Sequence, residues 1–517
     1  MASPPWKKSS PSRRTDRISD LPDNVLGHVL SFLPTKEAGR AAMLGRRWRD
    51  IFCSVHTISF EEVEGERKDD LYTYFWEAAD RRSCSGILLD CISSALLRRR
   101  NRCASTTSVL PVPLRSFRFA FDSCSGWDKV AVDQWLFDVL CRSGNEELHL
   151  DLRFHIGPIC KRRKDEDNDE KETKDNEGWG YVLPTALFSC TAIRTLCLSH
   201  CKLNVPETVD LPFLEALHLT GIRGDDSGYM IQRLVWSCSR LVDLTLEANS
   251  RLKRLTVLDK RLRRFALRCC HNIAKVIIDA SELRSLEYSG SVPEESLLSL
   301  SGSPGLASCT IRFCRVRPNN ELEFVGFRRF LEKVSDSKHL HLHHRGLDSG
   351  FLAVFPTFSN LKRLELQGPV QSSDSVNGIR RMLEHTPNLE VLSLYMDTNP
   401  QKQKAEPITY RRRLEELDDD DEEEEEYERS IVVDNLLVPD ESGLSSMPCL
   451  RHSVKEINMV NYQYDVQHRT LASLVFRNAL VLERMCVVLG KGQFALQVEL
   501  KKEIESWLVA KPEKSFM

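Results

Sequence analysis

With 517 residues the chain can hold two or more units with sizeable cores, and its 41% hydrophobic and 28% charged residues exclude a disordered polymer. The net charge of −3 hides a segregation: residues 415–428, EELDDDDEEEEEYE, hold twelve carboxylates and no base, which leaves the remainder at about +9. A mildly basic body with one acidic insert argues against a dedicated nucleic-acid binder, and no apolar run reaches the roughly 20 residues of a membrane-spanning helix.

The first 15 residues, MASPPWKKSSPSRR and the Thr after them, form a basic, Pro- and Ser-rich leader expected to be disordered. The leader has positive charge but no apolar segment behind it, so it does not read as a secretory signal, and KKSSPSRR offers a weak nuclear-import pattern. Seventeen cysteines, an odd number with no CxxC pair, point to reduced thiols and to the nucleus or cytoplasm.

Residues 16–55 predict three short helices. Ser19 or Asp20 can cap the first, Pro22 suits its opening turn, and Val25, Leu26, Val29, Leu30 and Leu33 fall on one broad face. Pro34 ends that helix, Thr35 can cap a second, and LGRRWRDIF supplies a third with Trp48 and Phe52 four residues apart. So small a unit cannot bury all this surface internally, so part of it should be a docking face for another helical protein. The run DRISDLPDNVLGHVLSFLPTKEAGRAAMLGRRWRDIF resembles the plant F-box in its DRIS-LP opening, its FLPTKEA turn and its L-x-RRW close. It departs from the usual plant form at Gly39, Gly45 and the RAAML segment, and a glycine inside the second helix costs roughly 1 kcal/mol.

From about 56 to 440 the chain repeats a template of three apolar residues separated by two spacers and then one. Copies stand at Ile193-Leu196-Leu198, Leu214-Leu217-Leu219, Leu241-Leu244-Leu246, Leu283-Leu286-Tyr288, Leu361-Leu364-Leu366 and Leu389-Leu392-Leu394. Each holds a short strand that cannot bury its face alone, so copies must stack, as in a leucine-rich-repeat solenoid with coils of about 20–29 residues. Between Leu241 and Leu283 the template recurs every ten or eleven residues, too few for a strand, a turn and a helix. That stretch should alternate its strands between the two faces of a flattened coil. Two charged stretches, 161–177 and 400–430, lack apolar periodicity and read as loops.

The final zone, 447–517, alternates a strand pattern centred on Val454, Ile457 and Met459, a helix through Leu474 to Leu482, and a strand from Met485 to Leu489. LRHSVKEINMVNYQYD and NALVLERMCVVLG resemble the FBD domain, and LPTALFSCTAIRTLCLSHCKL with LPFLEALHL is similar to the repeats of plant F-box/LRR proteins. The expected fold class is therefore α/β: a three-helix F-box, a leucine-rich-repeat solenoid, and a closing α/β FBD domain.

The resemblance implies a non-catalytic substrate receptor of an SCF-type ubiquitin ligase. Its partners would be a Skp-type adaptor, the cullin and RING subunits reached through it, and a target protein held by the solenoid. It needs no cofactor, because the work is proximity and orientation. Carried over by position, the adaptor-facing residues are Leu21, Pro22, Val25, Leu26, Val29, Leu30, Leu33 and Trp48; some of these must instead hold the helices together, and Trp48 fits either role. The alternative is a scaffold independent of the ligase, binding a basic protein or nucleic acid through the acidic run.

Patterns that suggest chemistry are few. His339, His341 and His343 in KHLHLHHRG share one face of a strand, which suits an outward face opposite two core leucines better than a zinc site. Cys197, His200 and Cys201 suggest a metal site, but the repeat explains Cys197 as core-adjacent; GKGQ at 490–493 lacks phosphate-loop spacing, and neither GxSxG nor HExxH occurs. No catalytic, cofactor or metal residue is assigned.

Overall fold

A computed structural model describes residues 18–62, 88–99, 114–121, 126–142, 147–154, 180–258, 261–301, 305–314, 321–344, 355–397 and 447–490, with gaps at 19, 53–54 and 464, and parts of 498–504. The leader, both charged stretches and the acidic run lie outside these residues. The chain divides into two compact units, Met1–Pro158 with Asn168–Arg240, and Ile159–Asp167 with Leu241–Met517.

The first unit begins with helices α1 (Asp23–Ser31), α2 (Thr35–Ala41) and α3 (Arg46–Phe52). Five parallel strands follow, paired in chain order: β1 (Thr57–Glu61), β2 (Ser116–Ala120), β3 (Leu148–Arg153), β4 (Ile193–Ser199) and β5 (Ala216–Thr220). Parallel neighbours demand crossover connections, and helices at residues 88–99 and Gly126–Arg142 run between the first three strands. Ile58, Phe117, Leu150, Leu196 and Leu217 stand in register across the sheet and are all buried. Val55 and Leu114, both buried, hold the leading place of the repeat template before β1 and β2, whereas Glu147 stands there before β3. Aromatics add to this packing: Phe119 packs on Phe121, Trp135 and Phe154 at centroid distances of 5.1–5.9 Å. Trp135 also donates from Nε1 to Ser93 Oγ at 2.9 Å, which joins the two crossover helices.

The second unit bears out the alternation expected from ten-residue spacing. Strands β6 (Asp243–Glu247), β8 (Arg264–Arg268), β10 (Ser285–Gly290) and β12 (Ser308–Phe313) are neighbours in one sheet, while β7 (Arg254–Val257), β9 (Lys275–Asp279) and β11 (Leu298–Ser301) form another. Each coil is thus closed by a strand on either side, and the apolar side chains of both meet between them. Leu244, Phe265, Leu286, Cys309, Leu340, Leu364, Leu392 and Ile457 form one continuous register ladder, every member at most 2% exposed. Where coils lengthen after β12, helices replace the second sheet: Glu321–Glu332 precedes β13 (His339–His343), and Ser373–Glu384 lies between β14 (Arg363–Gly368) and β15 (Val391–Met396).

The C-terminal strands β16 (Glu456–Tyr462) and β17 (Arg484–Leu489) extend this same parallel sheet, β16 pairing directly with β15. The helix between them spans Val466–Asn478, capped by the Asp465 carboxylate accepting from Gln467 N at 2.9 Å. It therefore starts before Leu474 and stops short of the Leu482 end expected from sequence. Asn478 ends the helix, and its side-chain amide turns back to donate to the Leu474 carbonyl at 2.7 Å.

Candidate functional site

The three N-terminal helices are built around Leu26, Leu30, Ala38, Ile51 and Val55, with Ala41, Trp48 and Phe52 packed at the margin. Pro22 occupies the N-cap position of α1 in place of the expected Asp20, and its carbonyl accepts from Val25 N and Leu26 N at 3.1 Å; Ser19 lies outside the described residues. Pro34 likewise caps α2, whose first residue is Thr35. Thr35 is buried, and its hydroxyl accepts from Ser59 N of β1 at 2.6 Å, which fastens the helical unit to the first strand. Arg47 on α3 reaches back to Asp23 at 2.8 Å and also donates to the Leu21 carbonyl, holding the entry to α1 in place. Gly39 lies inside α2 and Gly45 just before α3, so only one of the two glycines interrupts a helix.

This packing divides the sequence-predicted face. Leu26 and Leu30 are 1% and 2% exposed and pack in the core with Ile51 of α3, so of the eight residues these two hold the helices together. Trp48 is half-buried against the same core. Leu21, Pro22, Val25, Val29 and Leu33 remain exposed. Val25, Val29 and Phe32 follow at helical spacing, and the Phe32 ring meets His28 edge-on at 4.8 Å. Phe32 is 75% exposed, and Ile18, Met43 and Leu44 are also open. Sequence reasoning missed these four. Phe32 stands one residue beyond the last turn of α1, and Met43-Leu44 lie in a segment notable mainly for departing from the family pattern. Burying a Val, Leu or Phe is worth about 1.5–3 kcal/mol, so a run of them left in water marks a surface that gains by being covered.

The other patterns stay structural. On β13, Leu340 and Leu342 are buried while the three histidines are half-buried on the opposite face, as expected. His339 Nε2 lies 3.2 Å from Glu365 and His343 Nε2 lies 3.6 Å from Asp397, a carboxyl held below its usual range chiefly by its hydrogen bond to His343. Cys201 is buried, and burial pushes its thiol up to about 12; Cys197 lies on β4 within the repeat. The GKGQ turn beyond Gly490 falls outside the described residues.

Comparison with known proteins supplies the context for this face. An F-box domain family model matches residues 18–59, and the model for the LRR repeats of FBD-associated F-box protein At5g56370 matches residues 173–306. The F-box/LRR-repeat protein At4g14103 of Arabidopsis thaliana is 25% identical over 405 residues, covering 73% of this chain and 91% of that protein. The FBD-associated F-box protein At4g10400 of the same plant is 25% identical over 388 residues, covering 74% and 78%. The Arabidopsis F-box/FBD/LRR-repeat protein At2g26030 is 23% identical over 411 residues, covering 75% and 81%. A shorter match, 28% identical over 247 residues, spans 41% of the Arabidopsis F-box protein At1g58310. With an F-box model matched at its start and the repeats of an FBD-associated F-box protein matched behind it, the chain is similar to the Arabidopsis F-box/LRR-repeat and FBD-associated F-box proteins.

Proposed function

We propose that this chain is a non-catalytic receptor subunit of an SCF-type ubiquitin ligase, working in the nucleus or cytoplasm. The helical unit at 16–55 docks a Skp-type adaptor, which carries the cullin and RING subunits, while the repeats over 56–440 and an FBD unit over 447–517 present a target protein. The observation that carries this reading is the exposed apolar run along α1 and its two flanks, Leu21, Val25, Val29 and Phe32, on a segment that matches the F-box model. The strand–helix–strand order of β16, Val466–Asn478 and β17, together with relatives named for the FBD, supports the C-terminal assignment. The target is held at the polar strand face of the second unit, where His339, His341, His343 and Glu365 stand opposite the leucine ladder.

Co-purification with a Skp-type adaptor tests the proposal. The double variant Leu21→Ala with Pro22→Ala should weaken the complex at least tenfold with the fold retained. Unchanged binding would show that this edge of α1 is not the adaptor face. A chain that keeps its main partner through that change, and loses it when residues 415–428 are deleted, is a scaffold acting through its acidic run instead.

A further inference from the structure

In the second unit three ligand-type side chains meet on the rim formed by the C-terminal ends of β8, β10 and β12. Cys269 follows β8, His271 lies two residues further on, and Cys314 follows β12. The three are half-buried, and one ligand atom from each lies within 4.8 Å of the others. His271 Nε2 is 3.6 Å from Cys314 Sγ. A tetrahedral zinc ion, with sulfur at about 2.3 Å and nitrogen at about 2.0–2.1 Å, spaces its ligand atoms by roughly 3.5–3.8 Å. The cluster is already near that spacing, and small rotations of side chains would complete it.

The backbone around the three residues is tied together independently of the side chains. Cys269 N donates to the Ser289 carbonyl at 2.6 Å, and Cys314 N donates to the Gly290 carbonyl at 3.0 Å, so both cysteines hang from the same end of β10. Cys269 sits at a positive φ of 51°, the left-handed turn that also follows β4 at His200 and β6 at Ala248. Its neighbour Cys270 turns the other way, into the core, and its Sγ–H points to the Leu246 carbonyl. The second nitrogen of His271 is engaged as well: Nδ1 lies 3.4 Å from Ser291 Oγ, and the Ser291 carbonyl accepts from Tyr288 Oη at 2.7 Å. A partner on the far ring nitrogen is what orients a metal-binding imidazole.

We propose that Cys269, His271 and Cys314 bind one zinc ion, with water in the fourth position, as a clip across three successive coils of the second unit. Binding converts the two thiols to thiolates and releases their two protons, so the dication with two thiolates is neutral overall and suits a half-buried rim. The clip links residues 45 apart in sequence where, among the described residues, the coils are closed by strands of both sheets. This assignment does not rest on the ligase reading.

The test uses the full chain, reduced, stripped with a chelator, and titrated with Co2+ as the spectroscopic stand-in for Zn2+. Expected is one Co2+ per chain with the visible bands of a tetrahedral thiolate site, displaced by Zn2+. Binding should fall at least tenfold in Cys314→Ser and in His271→Asn and persist in Cys197→Ser. Circular dichroism identifies a variant that fails to fold, and the other then decides. No saturable binding by the wild-type chain, or binding that survives both substitutions, overturns the proposal. So does the finding that Cys269 and Cys314 form a disulfide on mild oxidation while the reduced chain takes up no metal.

Discussion

His344 shows how a single side chain gives the molecule a pH response. It follows β13, is only 3% exposed, and lies beneath the closely approaching backbone of Gly368. Burial, with His343 beside it, pushes its imidazole down to about 3, and Asp397 opposes that shift. In the unfolded chain the same group titrates near 6.5. Between those values the unfolded state holds a proton that the folded state lacks, so stability declines as pH falls from about 6.5 toward 3, by at most about 1.4 kcal/mol per pH unit. His341, lowered mainly by burial, acts in the same direction. Urea unfolding at pH 7.5, 6 and 5 should give a smaller loss on acidification for His344→Asn than for the native chain; equal losses would remove His344 as the cause. Gly39 illustrates the opposite kind of position: a Cβ there would meet nothing within 4 Å, so its cost lies in the backbone of α2 and not in packing.

At the scale of elements, α1 separates two jobs that periodicity alone merges. Leu26 and Leu30 face α3, while Val25 and Val29, one residue away, face water. Leu30→Ala should cost about 2–5 kcal/mol and lower the melting temperature of the helical unit. Val29→Ser should change stability by no more than about 0.5 kcal/mol while weakening the adaptor complex. A comparable loss of stability from both would contradict the division. The helices, the leucine strands and the alternation of β6 to β12 were legible in the sequence because spacing alone demands them. Strands β1 to β3 were less so: LHLDLR has Glu147 where the template's leading apolar residue stands, and SFRFA packs through Phe119 on Trp135 of a distant helix. The split of α1 was not legible, since it is decided by where Arg47 and Ile51 bring α3. The rim cluster was hidden for a related reason: Cys269 and Cys314 become neighbours only through the pairing of β8, β10 and β12.

At the scale of the molecule, each unit grows by adding strands to one edge of a parallel sheet. Among the described residues β17 is the last strand of the second unit, paired on one side only, with Val488 48% exposed. It shields β16, whose Ile457, Met459 and Tyr462 are buried. A chain ending at residue 480 would leave the backbone donors and acceptors of β16 unpaired along a strand with a strongly apolar face, a template for edge-to-edge association. Such a chain should elute as oligomers or aggregate in size-exclusion chromatography; a truncated form as monodisperse as the full chain would show that β17 does not serve as this cover.

The parallel pairing has a consequence for divergence. Because the paired strands within each sheet run the same way, the segments that follow their C-terminal ends leave from one rim of that sheet; in sequence 161–177 follows β3 and 400–430 follows β15. The ladders on either side keep their register across these long excursions, as Leu150 with Leu196 and Leu392 with Ile457 show. Descendants of such a chain can therefore lengthen, shorten or recharge that margin, and so change what they recognise, while inheriting the leucine framework unaltered.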